Sequence, residues 1–270
     1  MRRIVHISDL HFGAANDQIA ARLVESITEL EPHLVIVSGD LTQRARTDQF
    51  KEAKRFLDRL PQPQLIVPGN HDVPLYNVYN RFVSPLDKYE KIITSELEPF
   101  ISDEEIAVAG INTTRSMTIK GGRIGREQVD RLRAKMSAIP DRMLKIVVTH
   151  HPFDVPDGED EDDIVGRARE SLPLIAESGA DVFLSGHLHK SHIGHSARRY
   201  DLKDGYSALI VQAGSAISTR ERGEKNSFNL LEFDHPVLTV KRLACPGTEE
   251  PFTLVASEEF SHDGRGWARL

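Results

Sequence analysis

Aspartate, asparagine and histidine residues follow five short apolar runs of this sequence, each at the point where the run ends. In chain order they are Asp9 and His11, then Asp40, then Asn70 and His71, then His150, and finally His187 and His189. Carboxylate, amide and imidazole groups together suit zinc, iron or manganese. In α/β sheets, ligands bind outside the carboxyl ends of the strands, where loops present side chains on a rigid support. The sequence therefore predicts that these residues meet at one metal centre.

The spacing within these groups favours a common site. Side chains alternate along an extended chain, so Asp9 and His11 are expected to point the same way, as are His187 and His189. Glycine lets the backbone turn sharply or approach an ion closely. It precedes three of the candidate ligands, at Gly39, Gly69 and Gly186.

The charge of such a centre indicates a reaction. Two divalent cations carry more positive charge than the carboxylates of Asp9 and Asp40 neutralise, and a hydroxide plus a phosphodiester monoanion would balance the remainder. Paired metals about 3.5–4 Å apart lower the pKa of bridging water, polarise a phosphoryl oxygen and stabilise an in-line displacement. The predicted reaction is hydrolysis of a phosphate ester, with a metal-bridging hydroxide attacking phosphorus.

The elements that must position these residues alternate between strand and helix. Apolar, β-branched runs predict strands at 4–7, 34–37, 65–67, 106–111, 146–149 and 182–184. Helical spacing of apolar residues predicts helices from residue 17, from residue 47, over 126–136 and over 164–177. This alternation is typical of helices that cover a partly parallel sheet. Beyond residue 192, short runs at 193–200, 207–213, 227–234 and 236–242 predict a second, mainly antiparallel sheet.

Composition sets the broad class. The chain has 270 residues, of which 39% are hydrophobic and 28% charged, which excludes wholesale disorder. With no repeats and no flexible linker, one α/β domain over residues 1–270 is expected. The single cysteine, Cys245, cannot form an intrachain disulfide, and the first ten residues lack the apolar core of a secretion signal. A cytoplasmic protein is therefore predicted, and no apolar stretch of about 18 residues predicts a membrane span.

The charge balance argues against long nucleic acid as a partner. There are 34 basic and 41 acidic residues, a net charge of −7, and no basic field that would release counterions from a duplex. Residues 154–163, the acidic segment, hold Asp154, Asp157, Glu159, Asp160, Glu161, Asp162 and Asp163. This segment is expected to be a solvated, mobile loop, with a lid or a rim that repels polyanions as the alternative.

A second irregular segment spans residues 74–103 and is expected to be a cap or an insertion. It carries four aromatic residues, Tyr76, Tyr79, Phe82 and Tyr89. Two interpretations stay open: the aromatic side chains anchor the insertion to the body, or they form a cap or subunit contact beside a pocket.

Five motifs taken in order resemble the calcineurin-like metallophosphoesterase superfamily. They are Asp9-Leu10-His11, Gly39-Asp40, Gly69-Asn70-His71-Asp72, His150 and Gly186-His187-Leu188-His189. Each fragment alone is common, whereas the ordered set is specific. Ser8-Asp9-Leu10-His11 and Gly39-Asp40-Leu41-Thr42 resemble its bacterial class III cyclic nucleotide phosphodiesterase and glycerophosphodiesterase branch. The resemblance implies a four-layer α-β-β-α sandwich of two mixed sheets with helices outside.

The resemblance also implies roles for the candidate residues. Two divalent or mixed-valence transition-metal ions would be bound, with iron, manganese or zinc left open. Asp9, His11 and His189 would hold one metal. Asp40 would bridge to the second, which Asn70, His150 and His187 would complete. His71 would contact the phosphoryl oxygen or protonate the departing alkoxide.

Three further residues have two interpretations each. Asp72 orients His71 or, as favoured here, caps the following turn. His151 contacts the ligand set from outside or touches substrate. Arg44 reaches a substrate phosphate or is a surface charge that opens a helix.

The predicted function is binuclear-metal hydrolysis of a small phosphodiester, with a 3',5'-cyclic nucleotide as the favoured substrate. The alternatives on the same site are a glycerophosphodiester, a lipid-head-group ester or a phosphomonoester. A non-catalytic scaffold is the remote alternative. The family resemblance is the sole ground for expecting a homodimer.

Overall fold

Two β-sheets form the framework that carries the predicted site. The structure is a computed structural model, and it describes residues 1–75, 78–116, 120–219, 223–248 and 250–270. The strands are β1 (Arg2–Ile7), β2 (Leu34–Val37), β3 (Gln64–Ile66), β4 (Phe100–Ser102), β5 (Ile106–Gly110), β6 (Leu144–Val148), β7 (Val182–Ser185), β8 (His192–His195), β9 (Leu209–Gln212), β10 (Ser227–Asp234), β11 (Val237–Ala244), β12 (Thr253–His262) and β13 (Trp267–Arg269). The helices are α1 (Asp17–Glu29), α2 (Thr47–Leu57), α3 (Val78–Val83), α4 (Asp87–Ile92), α5 (Arg126–Met136) and α6 (Ala168–Ala176).

Both sheets mix parallel and antiparallel pairs. The first has the order β13-β12-β11-β10-β1-β2-β3, with β1, β2 and β3 parallel and the remaining pairs antiparallel. The second has the order β4-β5-β6-β7-β9-β8, with β5, β6, β7 and β9 parallel and an antiparallel strand at each edge. The carboxyl ends of the parallel strands therefore lie at one edge of each sheet.

The strands after residue 192 do not form a sheet of their own, so that part of the prediction is wrong. β8 and β9 extend the second sheet, whereas β10 to β13 extend the first. β10 pairs with the edge of β1 that β2 leaves open, with Ile4 opposite Leu231. An open edge offers unpaired backbone N–H and C=O groups, which the antiparallel strand satisfies. The strand predicted over 193–200 ends at His195, because the chain turns at Ser196–Arg198.

Successive residues of the central strands face two different apolar layers. Between the sheets lie Ile4, Ile36 and Leu65 of the first sheet and Val108, Ile146 and Val182 of the second. The residues that point the other way pack under helices, as Val5 and Val35 do with Leu23 of α1 and Phe50 of α2. Val147 and Phe183 do so with Leu132 of α5 and Leu172 of α6. Strands buried on both faces explain the continuous apolar runs. The predicted four-layer sandwich is confirmed.

α6 begins at Ala168, later than the predicted helix over 164–177. The residues before it bond to other loops and do not form a helical turn. The backbone N–H of Val165 donates to the Pro152 carbonyl, and that of Gly166 donates to the Gly122 carbonyl. Arg167 then takes a positive φ of 68°, which a continuing helix does not allow. None of the helices in the described ranges has the length and apolar character needed to cross a bilayer.

The segment 74–103 is packed onto the first sheet through Tyr89. This side chain is fully buried, meets Phe50 edge-on at 6.3 Å and donates its hydroxyl hydrogen to the Ile66 carbonyl at 3.3 Å. Phe82 in contrast is 55% exposed. Tyr76 and the side chain of Tyr79 lie outside the described residues. The single domain, with 74–103 as a cap or insertion, stays a prediction.

Candidate metal centre

The candidate ligands come from both sheets. The loops after β1, β2 and β3 carry Asp9, Asp40 and Asn70, and the loops after β6 and β7 carry His150 and His187. The structure brings these loops together, since Asp9 Oδ2 accepts the backbone N–H of His187 at 3.0 Å across the two sheets. The candidate centre thus spans the junction between the sheets.

Asp9 lies at the middle of a first group of ligand atoms. Its Oδ1 atom is 3.6 Å from His11 Nε2 and 3.7 Å from His189 Nε2. Asp40 Oδ2 is also 3.6 Å from His11 Nε2, so the aspartates share one histidine neighbour. The ligand atoms of Asp9, His11 and His189 all lie within 4.8 Å of one another.

Asn70 lies at the middle of a second group. Its Oδ1 atom is 3.0 Å from His150 Nε2 and 3.1 Å from His187 Nδ1. Asp40 Oδ1 is 3.4 Å from His150 Nε2. Metal–ligand bonds of about 2.0–2.2 Å place neighbouring ligand atoms roughly 3 Å or slightly more apart. Asp40 therefore offers one oxygen to each group, at spacings that suit ligands of a shared cation.

Hydrogen bonds outside the centre fix which ring nitrogen faces it. His150 Nδ1 donates to the Ser38 carbonyl at 2.7 Å, and His189 Nδ1 forms a hydrogen bond with Ser215 Oγ at 2.5 Å. A carbonyl only accepts, so the neutral His150 ring carries its lone pair on Nε2. That lone pair faces Asn70 Oδ1, which is itself an acceptor. Support of the outward nitrogen is typical of metal-binding histidines.

The electrostatics of the centre favour positive charge. Burial opposes ionisation of Asp9, but His189 and His11 hold the pKa of its carboxyl below its usual range. Burial opposes ionisation of Asp40 too, and His150 keeps the pKa of that carboxyl well below its usual range. Burial alone would lower the pKa of His150, whereas the Asp40 and Asp9 carboxylates raise it to about 9. A field that stabilises a buried imidazolium would also stabilise a metal cation.

Buried polar atoms in the first group show that the residues present fit a metal. Within the described residues, Asp9 Oδ1 and both ring nitrogens of His11 are buried without a hydrogen-bond partner. Such atoms are costly to bury unless something satisfies them. One cation would satisfy the carboxylate oxygen and the facing imidazole lone pairs together, which a hydrogen bond between two acceptors cannot do.

Five of the candidate ligands have a left-handed backbone. The φ angles are 55° at Asp9, 50° at His11, 53° at Asp40, 75° at His187 and 58° at His189. The prediction that extended-chain alternation aims each pair is therefore wrong, although Asp9 and His11 do meet, at 3.6 Å. Left-handed backbone is uncommon for residues other than glycine, and such conformations cluster at functional sites. Backbone bonds hold these turns, including Asp9 N–H to Gly39 O at 3.1 Å and His11 N–H to Asp40 O at 2.9 Å.

Glycines allow the loops to approach closely. Gly39 has a φ of 93°, and a Cβ there would lie 2.7 Å from His150 Nδ1. A Cβ on Gly186 would lie 1.8 Å from Ser8 Oγ and 2.5 Å from Asp9 Oδ2. A side chain at residue 186 would therefore push apart the loops that bring Asp9 to His187.

Gly186→Ala is expected to lower the free energy of unfolding by about 1–3 kcal/mol, the usual range for overpacking. Gly121→Ala is the matched control, because a Cβ there meets no atom within 4 Å. Urea unfolding followed by circular dichroism compares both variants with the wild type. Equal midpoints for the two variants would show that the loops at residue 186 are not closely packed.

His71 lies at the edge of the centre and is half-buried. Its backbone N–H donates to Asp40 Oδ1 at 2.8 Å, and its ring meets the His11 ring edge-on at 4.9 Å. Its Nδ1 donates to the Gln43 carbonyl at 2.9 Å. The ring is thus held beside the ligand atoms.

Asp72 ties two loops together beneath the centre. Its carboxylate accepts hydrogen bonds from the backbone of Leu41, Thr42 and Gly69 at 2.9–3.2 Å and from Thr42 Oγ1 at 3.0 Å. Burial and the nearby Asp40 carboxylate raise the pKa of Asp72 to about 6. These bonds join the loop after β2 to Gly69 and none goes to a residue after Asp72, so the favoured interpretation, a cap on the following turn, stays a prediction.

His151 packs beside the second group with both ring nitrogens engaged. Its Nε2 donates to the Lys120 carbonyl at 2.8 Å, and Thr113 Oγ1 donates to its Nδ1 at 2.7 Å. Burial, with His187 as a like-charged neighbour, holds the pKa of His151 well below its usual range. The ring lies 4.7 Å from the His187 ring, and the ligand atoms of His150, His151 and His187 all lie within 4.8 Å of one another. The two interpretations of His151, contact with the ligand set and contact with substrate, stay predictions.

Arg44 is exposed, and its backbone N–H donates to Gln49 Oε1 at 2.9 Å. That bond is made by the backbone beside the start of α2, so both interpretations of the Arg44 side chain stay predictions.

The acidic segment is not a freely solvated loop, contrary to the expectation for residues 154–163. Asp154 is fully buried. Its carboxylate and that of Glu161 pair with Arg199, the latter at 2.6 Å. Ion pairs also join Asp157 to Arg198 and Glu159 to Lys190, and Asp163 Oδ1 lies 3.5 Å from His187 Nε2. The partners of these carboxylates all lie between residues 187 and 199. The acidic segment therefore packs against the stretch of chain that contains His187 and His189.

Four groups that support the site histidines were not among the predicted residues. They are the carbonyls of Ser38 and Gln43, the hydroxyl of Ser215 and the carboxylate of Asp163. A backbone carbonyl leaves no mark on the sequence. Asp163 stands within a run of acids, and its residue type does not distinguish it from them.

A comparison with known families adds to this geometry. The profile of a family described as Calcineurin-like phosphoesterase matches residues 2–191. The chain belongs to this family. The matched range contains every candidate ligand from Asp9 to His189, so the predicted membership in the calcineurin-like phosphoesterases is confirmed.

Two curated proteins resemble the chain at modest identity. The first is a probable glycerophosphodiester phosphodiesterase, GpdQ, from Arcobacter nitrofigilis, which is 27% identical over 166 residues that cover 59% of this chain and 58% of the relative. The second is a probable cyclic nucleotide phosphodiesterase from Synechococcus, which is 26% identical over 204 residues that cover 70% of this chain and 74% of the relative. The chain thus spans less than two thirds of the length of the GpdQ relative.

A solved structure supports the fold assignment. Purple acid phosphatase PPD1 from yellow lupin superimposes with a TM-score of 0.72, over 98% of this chain and 54% of the phosphatase. The sequences are 14% identical, so this likeness shows the calcineurin-like fold alone.

Proposed function

We propose that this protein hydrolyses small phosphodiesters with two bound metal ions. The observation that carries the proposal is the convergence of ligand atoms from both sheets on Asp40, whose two oxygens face His11 at 3.6 Å and His150 at 3.4 Å. One carboxylate placed between two groups of nitrogen and oxygen donors suits a pair of adjacent cations. The names of the two curated relatives support a phosphodiester as substrate.

Each ion would have its own ligands. Asp9, His11 and His189 would hold the first ion, Asn70, His150 and His187 would hold the second, and Asp40 would contact both. Iron, manganese or zinc suits this mixture of donors. When bound, such ions polarise a phosphoryl oxygen and lower the pKa of water.

His71 would donate a proton to the leaving group. Its Nδ1 proton is committed to the Gln43 carbonyl, so the ring can gain or release a proton at Nε2. In the protonated ring, Nε2 would donate to the oxygen that departs from phosphorus. The bond from the His71 backbone to Asp40 keeps the ring beside the reacting groups.

The charge of the centre favours a diester over a monoester. After Asp9 and Asp40 neutralise part of the charge of two divalent ions, the remainder matches a hydroxide and a monoanionic diester. A 3',5'-cyclic nucleotide is the favoured substrate, and a glycerophosphodiester is the second candidate, since a relative of each name matches the chain.

Metal removal and reconstitution test the proposal. The protein is stripped with a chelator, reloaded with Mn²⁺, Fe²⁺ or Zn²⁺, and assayed with 3',5'-cyclic AMP, glycerophosphocholine, bis(4-nitrophenyl) phosphate and 4-nitrophenyl phosphate. We expect about two ions per chain by elemental analysis and diester hydrolysis that disappears on stripping and returns on loading. A protein that binds no metal would be a scaffold, and faster hydrolysis of the monoester would replace the diester assignment.

A cytoplasmic location and a homodimer complete the proposal. Buried, unpaired Cys245 supports a reducing compartment. The dimer rests on the family resemblance, and light scattering of the purified protein tests it.

A further inference from the structure

Asp163 links the acidic segment to a candidate ligand. Asp163 Oδ1 lies 3.5 Å from His187 Nε2, while the other ring nitrogen of His187, Nδ1, lies 3.1 Å from Asn70 Oδ1. The two nitrogens of one ring therefore face two different surroundings: Nδ1 the candidate metal centre, and Nε2 a carboxylate outside it.

A neutral imidazole carries its proton on one nitrogen, and its neighbours decide which one. Both ring nitrogens of His187 thus face oxygen atoms that only accept: the neutral amide Oδ1 of Asn70 at Nδ1 and the charged Asp163 carboxylate at Nε2. A charged acceptor forms the stronger hydrogen bond, so Asp163 favours the proton on Nε2. The lone pair then lies on Nδ1, toward Asn70. A carboxylate that accepts the outward N–H of a histidine also fixes the orientation of the ring and strengthens its basicity as a ligand.

We propose that Asp163 is a positioning residue, which holds His187 in the tautomer and orientation that direct Nδ1 into the metal centre. The inference rests on the proposed function, because it assigns the support of one proposed ligand. It adds a residue outside the five sequence motifs and gives the acidic segment a role.

The support of His187 differs from that of the other site histidines. The outward nitrogens of His150 and His71 donate to backbone carbonyls, and that of His189 bonds a hydroxyl. Among these described histidines, His187 has a carboxylate in that place. The Asp163 side chain is 27% exposed, so the acidic segment must hold it in position.

Contacts made by neighbouring residues of the acidic segment fix the position of Asp163. Asp163 ends a short turn, Glu161–Asp163, in which Asp160 Oδ1 accepts the backbone N–H of Asp162 at 2.9 Å. Glu161 pairs with Arg199 at 2.6 Å, and Glu159 pairs with Lys190, the residue after His189. The acidic segment thus binds the same stretch of chain that carries the histidines.

Asp163→Ala tests the role, with Asp162→Ala as the matched control. Asp162 is exposed, lies in the same turn and has the same charge, so both variants lose one negative charge at nearly the same place. Asp163→Asn restores a neutral accepting oxygen. Two measurements are made on each protein: the tautomer of His187 in the metal-free form, from long-range ¹H–¹⁵N correlation spectra, and the binding of Mn²⁺ alone by calorimetry.

We expect wild type and Asp162→Ala to show His187 protonated on Nε2 and to bind two Mn²⁺ ions with similar affinities. Asp163→Ala should shift the His187 tautomer toward Nδ1–H. It should also raise the dissociation constant of the Mn²⁺ ion that binds with lower affinity, by about 10-fold or more. Asp163→Asn should lie between the wild type and Asp163→Ala in both the tautomer of His187 and the affinity for Mn²⁺.

Identical tautomers and affinities in Asp163→Ala and Asp162→Ala would overturn the inference while leaving the proposed function intact. A wild-type protein that binds no Mn²⁺ would instead overturn the proposed function. The tautomer comparison would then decide by itself whether Asp163 orients His187.

Discussion

Asp40→Asn is expected to lower kcat/KM for a diester by about 10³-fold or more. The substitution replaces one carboxylate oxygen by an amide NH₂ group, which donates hydrogen bonds and does not bind a cation. Because Asp40 faces His11 with one oxygen and His150 with the other, the change removes a ligand that both candidate groups share. Loss of one group that stabilises transition-state charge commonly costs about 10²–10³-fold, and weaker metal binding adds to this.

The measurement is steady-state hydrolysis of bis(4-nitrophenyl) phosphate at saturating Mn²⁺, together with the metal content of the dialysed protein. Asp130→Asn provides the control, because Asp130 is exposed on α5 and its loss changes the net charge equally. An Asp40→Asn enzyme that kept full metal content and wild-type kcat/KM would exclude Asp40 from the centre.

His71→Asn is expected to lower kcat by about 10²–10⁴-fold on diesters with a poor leaving group, the range typical of general acid–base catalysis. An asparagine Nδ2 can take the place of the histidine Nδ1 and keep the hydrogen bond to the Gln43 carbonyl. The variant therefore removes Nε2 and its proton while keeping the local structure. A 4-nitrophenolate leaving group departs without a proton, so that reaction should be affected far less.

The comparison is made between glycerophosphocholine, which expels an alkoxide, and bis(4-nitrophenyl) phosphate, at equal metal loading. His33→Ala, at an exposed histidine that precedes β2 whereas Asp40 follows it, controls for general effects of losing a histidine. Equal losses on the two substrates would assign His71 to binding of the phosphoryl group. Unchanged rates on both would remove it from the reaction.

The sequence predicts the parts of this molecule that depend on residue type. Strands such as β2 and β6 are buried on both faces, so they appear as continuous apolar runs. Metal-binding side chains belong to few residue types, and their place directly after such runs puts them at the carboxyl edge of a sheet. For this reason the sequence alone predicts that Asp9, Asp40 and His150 lie near one another.

The rest depends on contacts between distant segments. The left-handed backbone of Asp9 and His187 is held by hydrogen bonds across loops, and residue type alone does not specify it. Whether β10 pairs with β1 or with a strand of the other sheet is decided by which edge is open, a property of the assembled fold. Likewise, the contact between Asp163 and His187 depends on how the acidic segment folds back against the chain that follows β7.

Because the ligand atoms lie across the junction between the sheets, metal binding would affect the stability of the fold. An ion held by Asp40 from one sheet and His150 from the other would cross-link the two sheets of the sandwich. Any ligand that binds only the folded chain raises its resistance to unfolding in proportion to the logarithm of the ligand concentration. The melting temperature of this protein would therefore serve as a gauge of its metal loading, readable without a substrate.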